Sequence, residues 1–537
     1  MESMMHRTAH VDTFARDRLP PPQQWPRLHF DLPELRYPER LNCATALLDE
    51  AVAEGHGERP AILTGAGSIN YRELLARANR IANVLQAQGI VPGNRVLLRG
   101  YNGAELYACW LAVMKVGAIA VTTMPMLRAP ELGAIIEKSR PAIALSDHRL
   151  LAELHSAAGP TRIVHGTVSW GGGDLEGRMA GAADRFSNVD TASDDVCLLA
   201  FTSGTTGKPK ACAHFHRDVL AMADVVARHL LHTGPDDVYT GSPPLGFTFG
   251  LGALLVFPFR FRAAAAPVEI PAPAALFAAI EGHKATCLFT APFAYRSLMA
   301  ELPGKDIASL RQCVSAGEYL PKAVSDAWHE RTGIRIIDGI GATEMIHIFI
   351  SASGAAIRPG ATGKPLPGYK ACVLDDDGRP LAAGSTGRLA VTGPTGCRYL
   401  DDERQRDYVQ NGWNMTGDLY RADADGYFWF VSRADDMIVS AGYNIAGLEV
   451  EWALLGHPAV RECAVVGAPD AERGTVVKAF VVLTPGSAAG AALARELQDF
   501  VKQRIAPYKY PRLVEFLDAL PKTATGKLQR KALRQGS

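Results

Sequence analysis

The sequence lacks a surplus of either charge. Lys plus Arg equals Asp plus Glu, 56 each among 537 residues. With no basic field to draw in a polyanion, nucleic acid is not an expected partner. Metal-type cysteine spacing is missing too. The nine cysteines fall at positions 43, 109, 197, 212, 287, 313, 372, 397 and 463, none as Cys-x-x-Cys. An odd count without zinc spacing implies free buried thiols in a reducing, cytoplasmic compartment. No apolar run suits a bilayer: the stretch from Leu106 to Thr123 carries Lys115 and Gly117, and that from Phe247 to Phe259 is too short. Met1 to Arg18 holds no apolar h-region, so neither a signal peptide nor a membrane partner is expected. No repeat recurs at a solenoid period.

What is present is an ordinary globular composition, 47% hydrophobic and 21% charged, in a chain too long for one core. Two or more domains are therefore expected. Residues 19–38 are rich in proline and read as an extended arm lying on a core. From Tyr71 onward, helical spacing (Leu74, Leu75, Ala78, Ile81, Ala82, Leu85) alternates with short apolar strands at Val96 to Leu98, Ala118 to Thr122 and Ala142 to Leu145. Such alternation predicts crossover units and a mostly parallel sheet, an α/β fold. The Ala/Pro stretch 263–279 reads as a loop and helix. Turns and charges cluster at 416–436. Beyond them lies a unit of about 100 residues with two helices, at 447–456 and 490–504, and strands at 462–467 and 478–483. The expected division is a large domain over 1–434 and a small α+β domain over 435–537.

The most informative stretch follows the apolar run from Val196 to Phe201. It reads Thr202, Ser203, Gly204, Thr205, Thr206, Gly207, Lys208, Pro209, Lys210. A Gly-rich loop after a strand lets backbone amides and hydroxyls surround anionic oxygens. It is not a Walker A loop: two residues separate its glycines, and Pro209 stands where that motif needs Ser or Thr. A nucleotide is indicated, held in some other way than in a P-loop NTPase.

Four further motifs follow in order: Ile340-Gly341-Ala342-Thr343-Glu344, Thr416-Gly417-Asp418, Arg433-Ala434-Asp435-Asp436, and Pro521 to Lys527 with Gly526. Together the five resemble the adenylate-forming superfamily of acyl- and aryl-CoA ligases, luciferases and adenylation domains. The resemblance spans nearly the whole chain. It implies the fold of that superfamily: a large N-terminal domain of layered α/β subdomains and a mobile C-terminal lid hinged at Asp435. It implies ATP, Mg²⁺ and coenzyme A as cofactors, with a small aryl acid as substrate.

By that resemblance, the loop 202–210 holds the β- and γ-phosphates. Thr343 and Glu344 are catalytic, with Glu344 as Mg²⁺ ligand, a hard carboxylate for a hard cation. The turns Ser315-Ala316-Gly317-Glu318 and Asp338-Gly339-Ile340-Gly341 flank adenine. Asp418 takes the ribose hydroxyls, and Arg433 lies near the ribose and α-phosphate. Lys527 stabilises charge as the substrate carboxylate attacks the α-phosphate. Ser440, Ala441 and Gly442 line the pantetheine path.

The acid itself is less strongly marked. Phe247 and Phe249 beside glycines suggest a flat apolar slot, with Gly341 and His347 also lining it. Glu344 to Phe349 is similar to the benzoate-CoA ligase group. The arm Ala9 to Asp17, with Tyr37 to Asn42, looks like its 2-aminobenzoate branch. The resemblance therefore implies 2-aminobenzoate (anthranilate), with benzoate or another substituted benzoate as the alternative. A carrier-protein-loading adenylation enzyme would share the first step, and a luciferase-like oxygenase would need oxygen. A monomer or a homodimer is equally compatible with the sequence.

Overall fold

The computed structural model describes residues 5–159, 163–202, 209–440, 443–470, 474–505, 507–522 and 528–535. They form two compact units. One comprises the chain up to Ala371 with Val391–Asn414; the other comprises Cys372–Ala390 and the chain from Met415. Among the described residues no helix is long and apolar enough to cross a membrane.

The first unit is built on two sheets. A six-stranded sheet runs Thr167–Trp170, Ile143–Asp147, Arg95–Arg99, Ile119–Thr123, Val196–Thr202, Lys210–Phe215. All neighbours are parallel except the last pair, a hairpin. Its central strands, Arg95–Arg99, Ile119–Thr123 and Ile143–Asp147, are buried along their whole length. Unbroken burial is characteristic of parallel strands covered on both faces. Helix Ala104–Lys115, with ten of its twelve residues buried, forms part of that cover. Helix Tyr71–Ala87 starts on a capping box: Asn70 accepts from the Glu73 amide at 2.8 Å, and Glu73 accepts from the Asn70 amide at 3.0 Å. It buries Leu74, Ala78, Ile81, Ala82 and Leu85, as their spacing predicts.

A nine-stranded sheet carries, among others, the consecutive parallel strands Val238–Gly241, Cys287–Thr290, Gln312–Ser315 and Ile336–Gly341. Antiparallel strands Ile348–Ser351 and Lys364–Pro365 close that edge. The Ala/Pro stretch differs from expectation. Ala264–Ala265 forms a short strand inserted between Val238–Gly241 and Pro60–Thr64, ahead of helix Pro273–His283. Two methyl side chains, fully enclosed, fit a gap between larger strands that local sequence does not reveal.

The proline-rich arm docks on this unit through short turns at Pro22–Gln24 and Pro33–Leu35. The Arg27 amide donates to the Gly412 carbonyl at 2.8 Å, and Trp25 lies 5.7 Å from the Phe215 ring.

The second unit contains strand Phe428–Arg433 paired antiparallel with Trp413–Ala422, a hairpin of Met437–Ser440 with Tyr443–Ala446, and a three-stranded sheet. That sheet joins Val460–Asp470, Gly474–Leu483 and Leu513–Phe516. Helices Gly447–Leu455 and Ala491–Arg504 contribute Val450, Leu454, Leu497 and Val501 to its core. By packing, the unit takes in residues 415–434, which the sequence reading assigned to the large domain. Its strands Trp413–Ala422 and Phe428–Arg433 pair with each other, and helix Gly447–Leu455 packs against the second of them; a torsional pivot at Asp435 is a separate matter of motion.

Candidate active site

Open α/β sheets present ligands at the carboxyl ends of their parallel strands. Four such ends lie side by side here: Gly241, Thr290, Ser315 and Gly341. Ser242 donates its amide to the Phe289 carbonyl at 3.0 Å, and its hydroxyl shares a 2.6 Å hydrogen bond with Thr290. The expected adenine turns sit on the neighbouring ends. Ser315 is buried and Ala316 nearly so, while Gly317 turns the chain at φ +90°, a conformation that favours glycine. Asp338 is half-buried, and loss of hydration pushes its carboxyl up to about 8.

The turn after Gly341 carries two opposed chemistries. A Cβ at Gly341 would lie 2.9 Å from the His347 carbonyl, so the chain can close only without a side chain there. Ile346 holds φ +64°, a rare state for a β-branched residue, costing about 1–3 kcal/mol. Glu344 and His347 stand on either side of it.

Glu344 meets the edge hairpin of the other sheet. The Tyr399 hydroxyl donates to Glu344 Oε1 and accepts from Lys210 Nζ at 2.8 Å. Lys210 Nζ is 3.9 Å from the same carboxylate oxygen and 4.6 Å from the centre of the Tyr399 ring. The His214 ring nitrogen Nε2 lies 2.8 Å from the Thr343 carbonyl, fixing the backbone of the turn. Burial raises the Glu344 carboxyl above its ordinary value, reinforced by Cys212 and opposed by the Tyr399 hydrogen bond and Lys210. Tyr399 is raised by burial and then by Glu344, so it keeps its proton and acts as donor.

His347 joins an aromatic cluster instead. Its ring is 5.5 Å from Phe249 and 4.6 Å, edge-on, from Phe257; Phe249 is 5.7 Å from Phe289. A Cβ at Gly252 would come within 2.5 Å of the imidazole. Burial lowers the His347 imidazole to about 3, so it is neutral. Nε2 lies 3.3 Å from the Phe249 carbonyl, which can only accept; the proton therefore sits on Nε2. Nδ1 is left as a buried lone pair with no partner among the described residues. Phe247 caps the short helix Thr248–Leu251 and is half-buried.

In the second unit, the register Asp418↔Arg433 sets the expected ribose carboxylate against its arginine. Arg433 Nη1 donates to Asp418 Oδ1 at 3.0 Å, and Arg433 Nε is 3.5 Å from Asp435. Burial raises the Asp418 carboxyl against the opposing pull of Arg433. Ser440 is buried at the end of its strand.

Ser203, Gly204, Thr205, Thr206, Gly207, Ala441, Gly442 and Lys527 lie outside the described residues. Thr202 and Lys210 are paired across the hairpin at the two ends of the Gly-rich loop. Sequence reading missed Tyr399, His214, Phe257 and Phe289. The aromatics Phe249 and Phe257 are eight residues apart, a helical repeat that could have linked them; Tyr399 carries no such signal.

One further cluster, Cys43, Cys197 and His216, brings its potential ligand atoms within 4.8 Å of one another. There, His216 Nδ1 accepts from the Cys43 amide at 3.2 Å, so its lone pair is already engaged and the group reads as core.

Residues 49–398 match the AMP-binding enzyme family, and residues 449–527 match the AMP-binding enzyme C-terminal domain. A benzoate–CoA ligase from Thauera aromatica is 36% identical over 94% of this chain and 97% of its own. An anthranilate CoA ligase, AuaEII, solved with anthranoyl-AMP, superposes with a TM-score of 0.89 at 34% identity over 94% and 99% of the two chains. A benzoate CoA ligase from Burkholderia xenovorans LB400 gives 0.84 at 32% identity over 92% and 100%.

Proposed function

The chain belongs to the AMP-binding enzyme family, and from that premise we propose that it is an AMP-forming aryl-CoA ligase whose acid is 2-aminobenzoate. The aryl carboxylate attacks the α-phosphate of ATP, expelling diphosphate; the CoA thiol then attacks the acyl carbon of the aryl adenylate and AMP leaves. The carboxylate is its own nucleophile, so the chain need only orient the reactants and stabilise charge.

Glu344 and the Thr343 hydroxyl are hard oxygen donors and suit a divalent cation such as Mg²⁺, which when bound screens phosphate charge. Lys210, Thr202 and the loop between them are assigned to the phosphates. Asp418 and Arg433 take the ribose side, Lys527 the transferring phosphoryl group, and Ser440 with Ala441 and Gly442 the pantetheine. Asp435 is the pivot between the two half-reactions.

The preference for an ortho-amino acid rests on one observation: the His347 Nδ1 lone pair, buried among Phe249 and Phe257 without a donor among the described residues. An unpartnered buried acceptor is costly, and an amino N–H would satisfy it. The solved relative with anthranoyl-AMP supports the same choice. Benzoate is the second reading, favoured by the Thauera relative.

CoA-dependent AMP release across a panel of benzoates tests both. The expected result is a kcat/KM for anthranilate at least about tenfold above benzoate. Equal or reversed preference gives the second reading, and no AMP release with any aryl acid overturns the ligase assignment.

A further inference from the structure

Tyr399 belongs to none of the five motifs, yet it is the hub of the acidic corner. It is fully buried, and its hydroxyl satisfies both neighbours at once, donating to Glu344 Oε1 and accepting from Lys210 Nζ. A phenol has one proton and two lone pairs, so it is suited to bridge an anion and a cation. Its own place is secured from three sides. The Tyr399 amide donates to the Gln405 side-chain carbonyl at 2.8 Å. Tyr399 bridges to Cys212 on the hairpin strand that also carries Lys210. Its ring packs edge-on against Tyr408 at 5.8 Å. Tyr399 and Lys210 both engage Oε1, and no side chain among the described residues donates to Oε2.

We propose that Tyr399 is a positioning residue. It fixes Oε1 and the rotation of the Glu344 carboxylate, so that Oε2 is the oxygen turned to the divalent cation; Lys210, shared through the same hydroxyl, keeps the charge of the corner balanced. This rests on the assignment of Glu344 to the cation made above. A carboxylate free to rotate would present its oxygens over many orientations, and ordering it in advance lowers the entropic cost of binding.

The test reads cation binding directly, without turnover. Mn²⁺ is titrated into the full-length protein with a non-hydrolysable ATP analogue and followed by electron paramagnetic resonance. Wild type, Tyr399→Phe, Glu344→Gln and the double variant are compared. Tyr399→Phe is expected to weaken Mn²⁺ binding about tenfold, while metal-free affinity for the analogue stays within about twofold. The double variant is expected to bind no more weakly than Glu344→Gln, because Tyr399 acts through Glu344.

If Tyr399→Phe binds Mn²⁺ as wild type does while Glu344→Gln does not, the positioning role is overturned and Glu344 keeps its own. Independent, additive losses overturn it as well, as does a fall in thermal stability with unchanged Mn²⁺ affinity. If Glu344→Gln leaves Mn²⁺ binding intact, it is the underlying assignment of Glu344 that fails.

Discussion

One short turn serves two environments. At Glu344 the chain enters a corner of opposite charges, with Tyr399 and Lys210 on the same carboxylate oxygen. Three residues on, at His347, it enters a cluster of phenyl rings. Burial acts on both, and both are pushed toward neutrality, Glu344 upward and His347 downward to about 3. The difference lies in the partners. Lys210 and Tyr399 oppose the shift at Glu344 and favour its charge; around His347 only the Phe249 carbonyl does so, too weakly to matter. On the reading proposed above, the first environment is the one assigned to the ion and the phosphates, and the second the one assigned to the ring.

The contrast is broken most severely by Glu344→Gln. Pyrophosphate exchange should fall by about 100-fold or more in kcat, with KM for the aryl acid within about threefold of wild type. A large change in acid KM with kcat intact would mean that the two environments are not functionally separate. His347→Phe tests the other side. It removes the acceptor and keeps a ring, so the anthranilate-to-benzoate ratio of kcat/KM should drop about tenfold while benzoate turnover changes little. A fall of the same size for both acids would make His347 a packing residue only.

The smallest expected effect is on stability against pH. In the folded chain His347 titrates near 3, against 6.5 for an ordinary histidine. Between those values the unfolded chain binds the extra proton, so stability rises with pH and is lost as pH falls from about 6.5 toward 3. From pH 7 to 4.5 this one group should cost on the order of 2 kcal/mol. Urea unfolding of His347→Phe should show a correspondingly shallower acid slope; an unchanged slope would mean that other groups dominate.

The residues proposed for the nucleotide could be named from the sequence because each group of them is local. A Gly-rich loop after a strand, a Gly-containing turn ending in Thr343-Glu344, and an Asp two residues after Thr416 each lie within a few residues. Those proposed for the acid could be named only in part. Phe249 and His347 could be named from neighbouring glycines and apolar runs, but their mutual contact spans 98 residues. Tyr399 was not legible at all, since nothing in Arg398-Tyr399-Leu400 distinguishes it from an ordinary buried tyrosine.

By itself, the order of residues settled the α/β alternation, the helix starts and the family motifs, because propensity, capping and apolar periodicity act over one or two turns of chain. Only tertiary structure decided that Tyr399 reaches Glu344, 55 positions away, that Asp418 faces Arg433 across a strand pair, and that residues 415–434 pack with the chain that follows them. Those outcomes depend on strand register and on which buried polar groups must find partners. Both are properties of the assembled sheets that no local pattern encodes.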